Sequence, residues 1–137
     1  MSRPDVRILD TGSDRDALGE IQDVLDELWS GHAEVPAVTR ISMSSAAAEV
    51  GANILEHAGR EHDVRIRMEV RLLPDAVHVE FTDDGRPAEV DLNAVEMPDE
   101  LADRGRGLAL AQAMLESLTY ERGGHGNRWT LISRRFG

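Results

Sequence analysis

Three polar side chains recur at intervals of four residues in the first half of the chain: Glu49, Asn53 and His57. A helix has 3.6 residues per turn, so this interval places them on nearly the same side of one helix. A carboxylate at Glu49 could act as a general base one turn away from an amide oxygen at Asn53, and such an oxygen is a ligand for Mg²⁺. The same interval occurs on ordinary solvated helix faces, so the triplet alone does not decide between the two interpretations.

A second candidate group, Asp83 and Gly85, follows a stretch with the alternating pattern of a strand. A carboxylate at the end of a strand can face a cleft and accept a hydrogen bond from an amino group such as that of adenine. A glycine beside it lets a ligand approach the backbone. Asp-Gly pairs are also frequent in hairpin turns, so this pair by itself leaves both interpretations open.

The third candidate group is the segment Gly105-Arg106-Gly107-Leu108, which stands at the mouth of a predicted helix. Unpaired amides and the helix dipole favour an anion at such a position, and Arg104 and Arg106 add positive charge there. The segment is not the dinucleotide-binding fingerprint, because the third glycine is missing and a long loop precedes it. Ordinary loop-to-helix glycines give the same pattern, so phosphate binding is one of two interpretations.

The elements that must position these groups are predicted from the hydrophobic periodicity. Helical spacing indicates three helices: residues 14–29, residues 36–58, and a segment that begins at or just after Gly105 and Gly107. Alternation indicates four strands in two hairpins: 64–73 with 77–83, and 118–121 with 128–134, the latter pair joined by a glycine-rich turn at 123–127. A short apolar run at residues 6–9 is a candidate edge strand.

Local features of the predicted helices lead to further expectations. Ser13, with Asp16 three residues later, resembles a capping box ahead of the first helix. Gly51 costs roughly 1 kcal/mol relative to alanine inside the second helix, which close packing would explain. Trp129 is expected in the core or at an interface rather than as a nucleotide stack, and Trp29 in the core rather than as an exposed partner contact. The buried stripe expected on the second helix is spaced by three and four residues: Val38, Ile41, Ser45, Ala48, Ala52 and Leu55.

The order helix, helix, hairpin, loop, helix, hairpin indicates an α+β fold. We expect a two-layer α/β sandwich in which three main helices pack on one face of a mixed, mainly antiparallel sheet. The 137 residues fit a single domain over residues 1–137. The loop at about 86–104 is longer than a simple connection needs, which is typical of a functional loop.

Composition and charge exclude several classes of protein. The chain has no cysteine, which excludes disulfide frameworks, thiolate nucleophiles and thiolate zinc sites. A formal net charge of −11 argues against direct nucleic-acid binding. No stretch approaches the roughly 20 apolar residues of a membrane helix, and the N-terminus lacks the apolar core of a secretory signal. We therefore expect a cytoplasmic protein without a membrane partner.

The three candidate groups occur in the order and approximate spacing of the GHKL, or Bergerat, nucleotide-binding fold. The segment EVGANILEHA at residues 49–58 resembles the N box of the anti-sigma-factor serine-protein kinases. The segment DDGRP at 83–87 resembles the first glycine box of that family, and GRGL at 105–108 resembles the second. The resemblance extends from the second predicted helix to the final strand, and it implies that ATP or ADP binds with Mg²⁺.

Carried over by position, the resemblance implies that Glu49 activates a substrate hydroxyl and that Asn53 coordinates Mg²⁺. Asp83 would bind the adenine amino group in a pocket that Gly85 shapes, and residues 86–104 would form a lid. The other nucleotide-binding residues implied are His57, Arg104, Gly105, Arg106, Gly107 and Leu108.

The activity that the resemblance implies is an ATP-dependent serine/threonine kinase that acts as an anti-sigma factor. It implies a STAS-type anti-anti-sigma factor as phosphoacceptor, an RNA polymerase sigma factor as alternative partner, and a homodimer. Pro87 departs from the commonest first glycine box, stiffens the entry to the lid and removes a backbone donor. A non-catalytic GHKL module stays open as an alternative. A histidine kinase is disfavoured, because 137 residues leave no room for a separate dimerisation helix pair.

Overall fold

The computed structural model describes residues 4–58, 63–86, 102–124 and 126–137. Its elements are, in chain order, β1 (Asp5–Gly12), α1 (Ala17–Ser30), α2 (Ala37–Ala58), β2 (Arg65–Leu72), β3 (Val77–Asp83), α3 (Ala102–Met114), β4 (Ser117–Gly123) and β5 (Gly126–Ile132). The predicted order of helices and hairpins is therefore confirmed. The α+β fold class is confirmed with it.

The five strands form one open sheet in the order β1-β2-β3-β5-β4. Each described pairing is antiparallel, so this sheet is antiparallel rather than mixed. β1 lies at an edge, as the short apolar run predicted, but it is longer than that run. In β2, Ile66, Met68 and Val70 are buried while Arg65 and Arg67 are exposed, because successive side chains of a strand point to opposite faces.

The three helices cover one face of the sheet, and the core lies between the two layers. Phe81 and Trp129 are among its largest buried side chains, and each contributes on the order of 1.5–3 kcal/mol by leaving water. Trp29 is also buried, and its indole N–H donates to the Ser44 hydroxyl at 2.9 Å. The core positions expected for both tryptophans are confirmed.

None of the described helices is long and apolar enough to cross a membrane.

Gly51 lies where α2 packs against α1. A Cβ at this position would stand 3.0 Å from Ile21 Cδ1 and 3.1 Å from Leu18 Cδ2, closer than most real Cβ contacts. The close packing that would explain a glycine inside this helix is therefore confirmed.

The predicted capping box at Ser13 is wrong. The N-cap of α1 is Asp16, whose Oδ1 accepts a hydrogen bond from Gly19 N–H at 3.1 Å. Ser13 instead joins the end of β1 to the segment before β2. Its hydroxyl accepts from Val64 N–H at 2.9 Å, and its own N–H donates to Val64 O at 3.0 Å. The Ser13 side chain thus satisfies an amide 51 residues away rather than the start of α1.

The stripe expected to be buried on α2 is wrong in its first turns, although Leu55 at its far end packs against the core. Val38 is 71% exposed and Ile41 is 65% exposed. The residues that face α1 and the sheet belong to a different stripe: Thr39, Met43, Ala46, Ala47, Val50 and Ile54. Both sets have helical spacing, so periodicity alone could not choose between them. The small side chains of the buried set let α2 approach its neighbours closely.

The predicted start of the third helix is wrong as well. α3 begins at Ala102, three residues before Gly105, so the segment 105–108 lies inside the first two turns rather than at the mouth of the helix. The predicted lid, residues 86–104, therefore loses its last three residues to α3. Residues 87–101 of that lid lie outside the described residues.

Candidate functional site

A row of polar side chains crosses three strands at one end of the sheet. Asp83, the last residue of β3, pairs with Asn127 of β5, and Asn127 pairs in turn with Arg122 of β4. Residues paired across antiparallel strands share a face, with Cβ atoms about 5 Å apart. Val79 and Phe81 have the same phase as Asp83 and belong to the core. The polar row therefore lies on the face that the helices cover.

Asp83 is 4% exposed, and its two carboxylate oxygens differ in their contacts. Oδ1 accepts from Gly85 N–H at 2.9 Å and from Asn127 Nδ2 at 2.8 Å. Oδ2 is buried and has no hydrogen-bond partner in the described part of the chain. Burial raises the pKa of Asp83 because it disfavours the charged form, and the bonds from Asn127 and Gly85 oppose that rise. One oxygen is thus held in place while the other stays able to accept.

Asn127 is a site residue that sequence reasoning missed, because it was assigned to the glycine-rich turn. It lies in β5 and is buried, and its Nδ2 donates to the carbonyl oxygens of Arg86 and Gly85 at 2.7 and 3.3 Å as well as to Asp83. Its Oδ1 accepts from two donors: the Tyr120 hydroxyl and, at 3.2 Å, Arg122 Nη1. Asn127 and Asp83 are 44 residues apart in the sequence, and only the pairing of β3 with β5, which joins the two hairpins, brings them together.

Gly126 places Asn127 beside Asp83. Its φ of 121° lies in a region that side chains disfavour, and a Cβ at Gly126 would overlap the carbonyl oxygen of Asp83. Glycine is therefore needed for β5 to begin against the end of β3.

α2 contributes Glu49 and Asn53 and packs against α3, β3 and β5. Asn53 is 8% exposed, and its Oδ1 is buried without a partner among the described residues. Glu49 is exposed, and its carboxylate lies against Gly107 of α3, where a Cβ would overlap it. The structure thus brings together members of the first and third candidate groups.

The remaining predicted residues lie in or next to the same helices. The backbone of Arg104, Gly105 and Arg106 belongs to the first turns of α3. The side chains of both arginines and of His57 lie outside the described residues. Leu108 is buried in the core, so its side chain anchors α3 and only its backbone is available to a ligand.

The unpartnered oxygens indicate what the site can bind. Within the described ranges, three buried side-chain polar atoms have no hydrogen-bond partner, and two of them are acceptors, Asn53 Oδ1 and Asp83 Oδ2; the third is Arg40 Nε. Each such group costs about 1–3 kcal/mol of stability, and folded proteins keep few of them. An amino group can satisfy a carboxylate oxygen, and a hard cation can satisfy an amide oxygen.

Comparisons with known proteins agree with the fold. A family model described as the histidine kinase-like ATPase domain matches residues 12–133. The solved structure of the RsbU and RsbW domains of a Mycobacterium tuberculosis protein aligns with a TM-score of 0.62 and 16% identity, covering 94% of this chain and 32% of that one. The histidine kinase domain of a blue-light activated histidine kinase from Erythrobacter litoralis aligns with a TM-score of 0.56 and 22% identity.

The second alignment covers 85% of this chain and 58% of that one. The chain therefore spans about a third of the first structure and little more than half of the second. At these identities the likeness concerns the fold. No sequence among the curated proteins matches the chain.

Proposed function

The chain belongs to the family of histidine kinase-like ATPase domains, and from this premise we propose that it is an ATP-dependent serine/threonine protein kinase. The family and the fold support a kinase-type activity that uses ATP. The observation that carries the proposal is the pair of buried oxygens, Asn53 Oδ1 and Asp83 Oδ2, for which the described residues supply no hydrogen-bond donor.

Asp83 Oδ2 fits the amino group of adenine. An ionised carboxylate only accepts hydrogen bonds, so it suits an N–H and repels the carbonyl that guanine carries at the same ring position. Burial sharpens this discrimination, because water cannot reach the oxygen to compensate for a missing donor. Gly85 has no side chain to block the base, and its N–H is already bonded to Asp83 Oδ1.

Asn53 Oδ1 fits Mg²⁺, a hard cation that prefers oxygen ligands. Asn53 would hold the ion, and bound Mg²⁺ would neutralise charge on the phosphates. The amides of the first turn of α3 would favour the phosphates from the other side, and Arg104 and Arg106 would add positive charge there.

Glu49 is the proposed general base. Its side chain is exposed, so a hydroxyl of a protein substrate can reach it, and its carboxylate lies against Gly107 in the second turn of α3. The hydroxyl proton would pass to the Glu49 carboxylate as the hydroxyl oxygen attacks the terminal phosphorus and its bond to ADP breaks.

The proposed phosphoacceptor is a STAS-type anti-anti-sigma factor, with an RNA polymerase sigma factor as the alternative partner. The resemblance of the three motifs to the anti-sigma-factor serine-protein kinases supports this choice. A fold neighbour whose structure includes an RsbW domain is consistent with it. A cytoplasmic location and a homodimer belong to the same proposal.

The proposal is tested by incubating the purified chain with Mg²⁺, γ-labelled ATP and the cognate STAS protein. We expect the label on a serine or threonine of that protein. Glu49→Gln should slow the transfer by about 100-fold or more, the usual contribution of a general base, while ADP affinity stays within about twofold. Glu69→Gln is the matched control, because Glu69 lies on the face of the sheet opposite the core.

Three results would contradict parts of the proposal. Normal transfer by Glu49→Gln would remove Glu49 as the base. Nucleotide binding without transfer to any partner would make the chain a non-catalytic GHKL interaction module, the alternative function. No binding of adenine nucleotide would refute the site itself.

A further inference from the structure

We propose that Asn127 is a positioning residue that sets the base selectivity of the nucleotide pocket. The inference rests on the proposed nucleotide site. Asn127 acts through Asp83, to which it donates a hydrogen bond at 2.8 Å, and through the backbone around Gly85. It need not touch the nucleotide.

The orientation of the Asn127 amide is determined by its neighbours. The Nδ2 end faces three acceptors: Asp83 Oδ1, Gly85 O and Arg86 O. The Oδ1 end faces two donors: the Tyr120 hydroxyl and Arg122 Nη1. Turning the amide over would set its oxygen against the three acceptors and its NH₂ against Arg122 Nη1, and only the Tyr120 hydroxyl could adapt by accepting. Asn127 therefore always presents an N–H to Asp83.

A fixed donor at Oδ1 fixes the role of Oδ2. Asn127 and Gly85 both donate to the oxygen at the Oδ1 position, so the second carboxylate oxygen stands at the Oδ2 position, where the described residues supply no donor. Oδ2 remains the acceptor for the ligand. Without the Asn127 donor, burial would favour the protonated acid, and an O–H on Asp83 would suit a 6-oxopurine rather than a 6-aminopurine.

Other groups near Asp83 act in opposite directions. The charge of Asp84, the next residue along the chain, raises the pKa of Asp83, and the charge of Arg122 on β4 lowers it. Arg122 also donates to Gly85 O at 2.6 Å and, like Tyr120, to Asn127. The two side chains from β4 thus support Asn127 from the side away from Asp83.

The test compares the affinities of ADP and inosine diphosphate, measured by calorimetry. The wild-type chain should prefer ADP. Asn127→Leu, which is similar in size, should lower the ratio of ADP affinity to inosine diphosphate affinity by roughly tenfold, the scale of one hydrogen bond to a charged group. The inosine diphosphate affinity should not fall to the same extent. Arg128→Gln is the control, because Arg128 is the next residue of β5 and is exposed on the opposite face.

Asn127→Asp adds a readout that a merely structural role would not move. In the wild-type chain, ADP affinity should fall as the pH drops through the pKa of Asp83, because protonation removes the acceptor. In the variant two carboxylates face each other, and a shared proton restores a donor to Asp83. Its ADP affinity should therefore rise as the pH falls from about 8 to about 6, the opposite direction.

An unchanged ratio of ADP affinity to inosine diphosphate affinity in Asn127→Leu would overturn the inference while the proposed site stands. This holds whether both affinities are retained or both fall by the same factor. If Asn127→Leu does not fold, the direction of the pH dependence in Asn127→Asp decides, and a wild-type direction overturns the inference. A wild-type chain that binds neither nucleotide refutes the proposed function and the inference with it.

Discussion

Two polar clusters lie at opposite ends of the sheet, and they differ in how their polar atoms are satisfied. At one end, where Asp5 of β1 pairs with Leu72 of β2, the Asp5 carboxylate meets Arg7 and His32, each at 2.8 Å. At the other end, Asp83 and Asn53 each keep a buried oxygen for which the described residues provide no partner.

The contacts of the first cluster are explained by their contribution to the stability of the fold. His32 also contacts Glu34, and Arg7 reaches a glutamate of α1, so the cluster ties the start of β1 to α1 and to the loop that follows α1. The hydrogen bond from Arg7, and then that from His32, lowers the pKa of Asp5 to about 2. The bonds with Asp5 and Glu34 raise the pKa of His32.

At the second cluster the pKa of the carboxylate is shifted in the opposite direction, because burial raises the pKa of Asp83. The fold favours the charged carboxylate at Asp5 and disfavours it at Asp83. Burial disfavours the Asp83 charge, and Asp83 Oδ2 has no partner in the described part of the chain, so this carboxylate is less fully satisfied than that of Asp5. This difference supports the proposal that the second end of the sheet binds a ligand, whereas the first end serves stability.

Asp83→Asn should give the largest effect. Gly85 N–H and Asn127 Nδ2 require an oxygen at the position of Oδ1, so the new amide must place its NH₂ where Oδ2 was. ADP affinity should fall by about 100-fold, because the hydrogen bond to a charged carboxylate is replaced by two opposed donors, the new NH₂ and the amino group of adenine. The variant should instead favour inosine diphosphate. Removing the buried charge should meanwhile raise the free energy of unfolding by about 1 kcal/mol at pH 7.

Calorimetry and urea unfolding measure these two changes. Asp75→Asn, in the exposed turn between β2 and β3, is the control and should change neither. Unchanged ADP affinity, or a less stable variant, would break the contrast between the two clusters.

Gly107→Ala should give an intermediate effect. The new Cβ would displace the Glu49 carboxylate, and a general base out of position slows transfer by about tenfold or more. The carboxylate is the end of a flexible side chain, and alanine suits a helix better than glycine, so stability should not fall. The phosphotransfer rate should therefore fall while the ADP affinity is kept.

Gly123→Ala is the control for this prediction, because a Cβ there would meet nothing within 4 Å. A normal transfer rate in Gly107→Ala would show that the position of the Glu49 carboxylate is unimportant.

Asp5→Asn should give the smallest effect, a loss of about 1 kcal/mol of unfolding free energy, with ADP affinity unchanged. The Asp5 contribution is present above its unfolded pKa of 3.8 and is lost as the pH falls toward about 2. The His32 contribution is present below its unfolded pKa of 6.5 and is lost as the pH rises through the higher folded value. The deficit of the variant should therefore be largest between about pH 4 and 6.5.

Urea unfolding of Asp5→Asn at three pH values, about 3, 5.5 and 8, would measure that window. Asp23→Asn, at an exposed position of α1, is the control. A deficit that does not change with pH would show that the Asp5 and His32 contacts do not carry charge. A change in ADP affinity would show that the two ends of the sheet are coupled.

Sequence reasoning was most accurate where structure is local. β2 and β3 were predicted to within a residue or so, because the alternation of Ile66, Met68 and Val70 with arginines leaves one choice of face. α2 was placed correctly, but the wrong side was expected in the core, because apolar residues surround much of that helix. Packing against α1 and the sheet decided which face of α2 is buried, because the close approach of these elements requires the small residues and Gly51. Ser13 was misassigned because its partner, Val64, is distant in the chain.

The sequence by itself determined the order of the elements and the phase of the strands, and it singled out Glu49, Asn53 and Asp83 as candidates, since these depend on residue type and short spacing. Only the tertiary structure decided which groups lose water and which pair across strands. It places Asn127 within hydrogen-bond distance of Asp83 and the Glu49 carboxylate beside Gly107. It also buries two oxygens for which the described residues supply no partner. Desolvation and hydrogen bonding depend on neighbours from distant parts of the chain, and no local pattern specifies them.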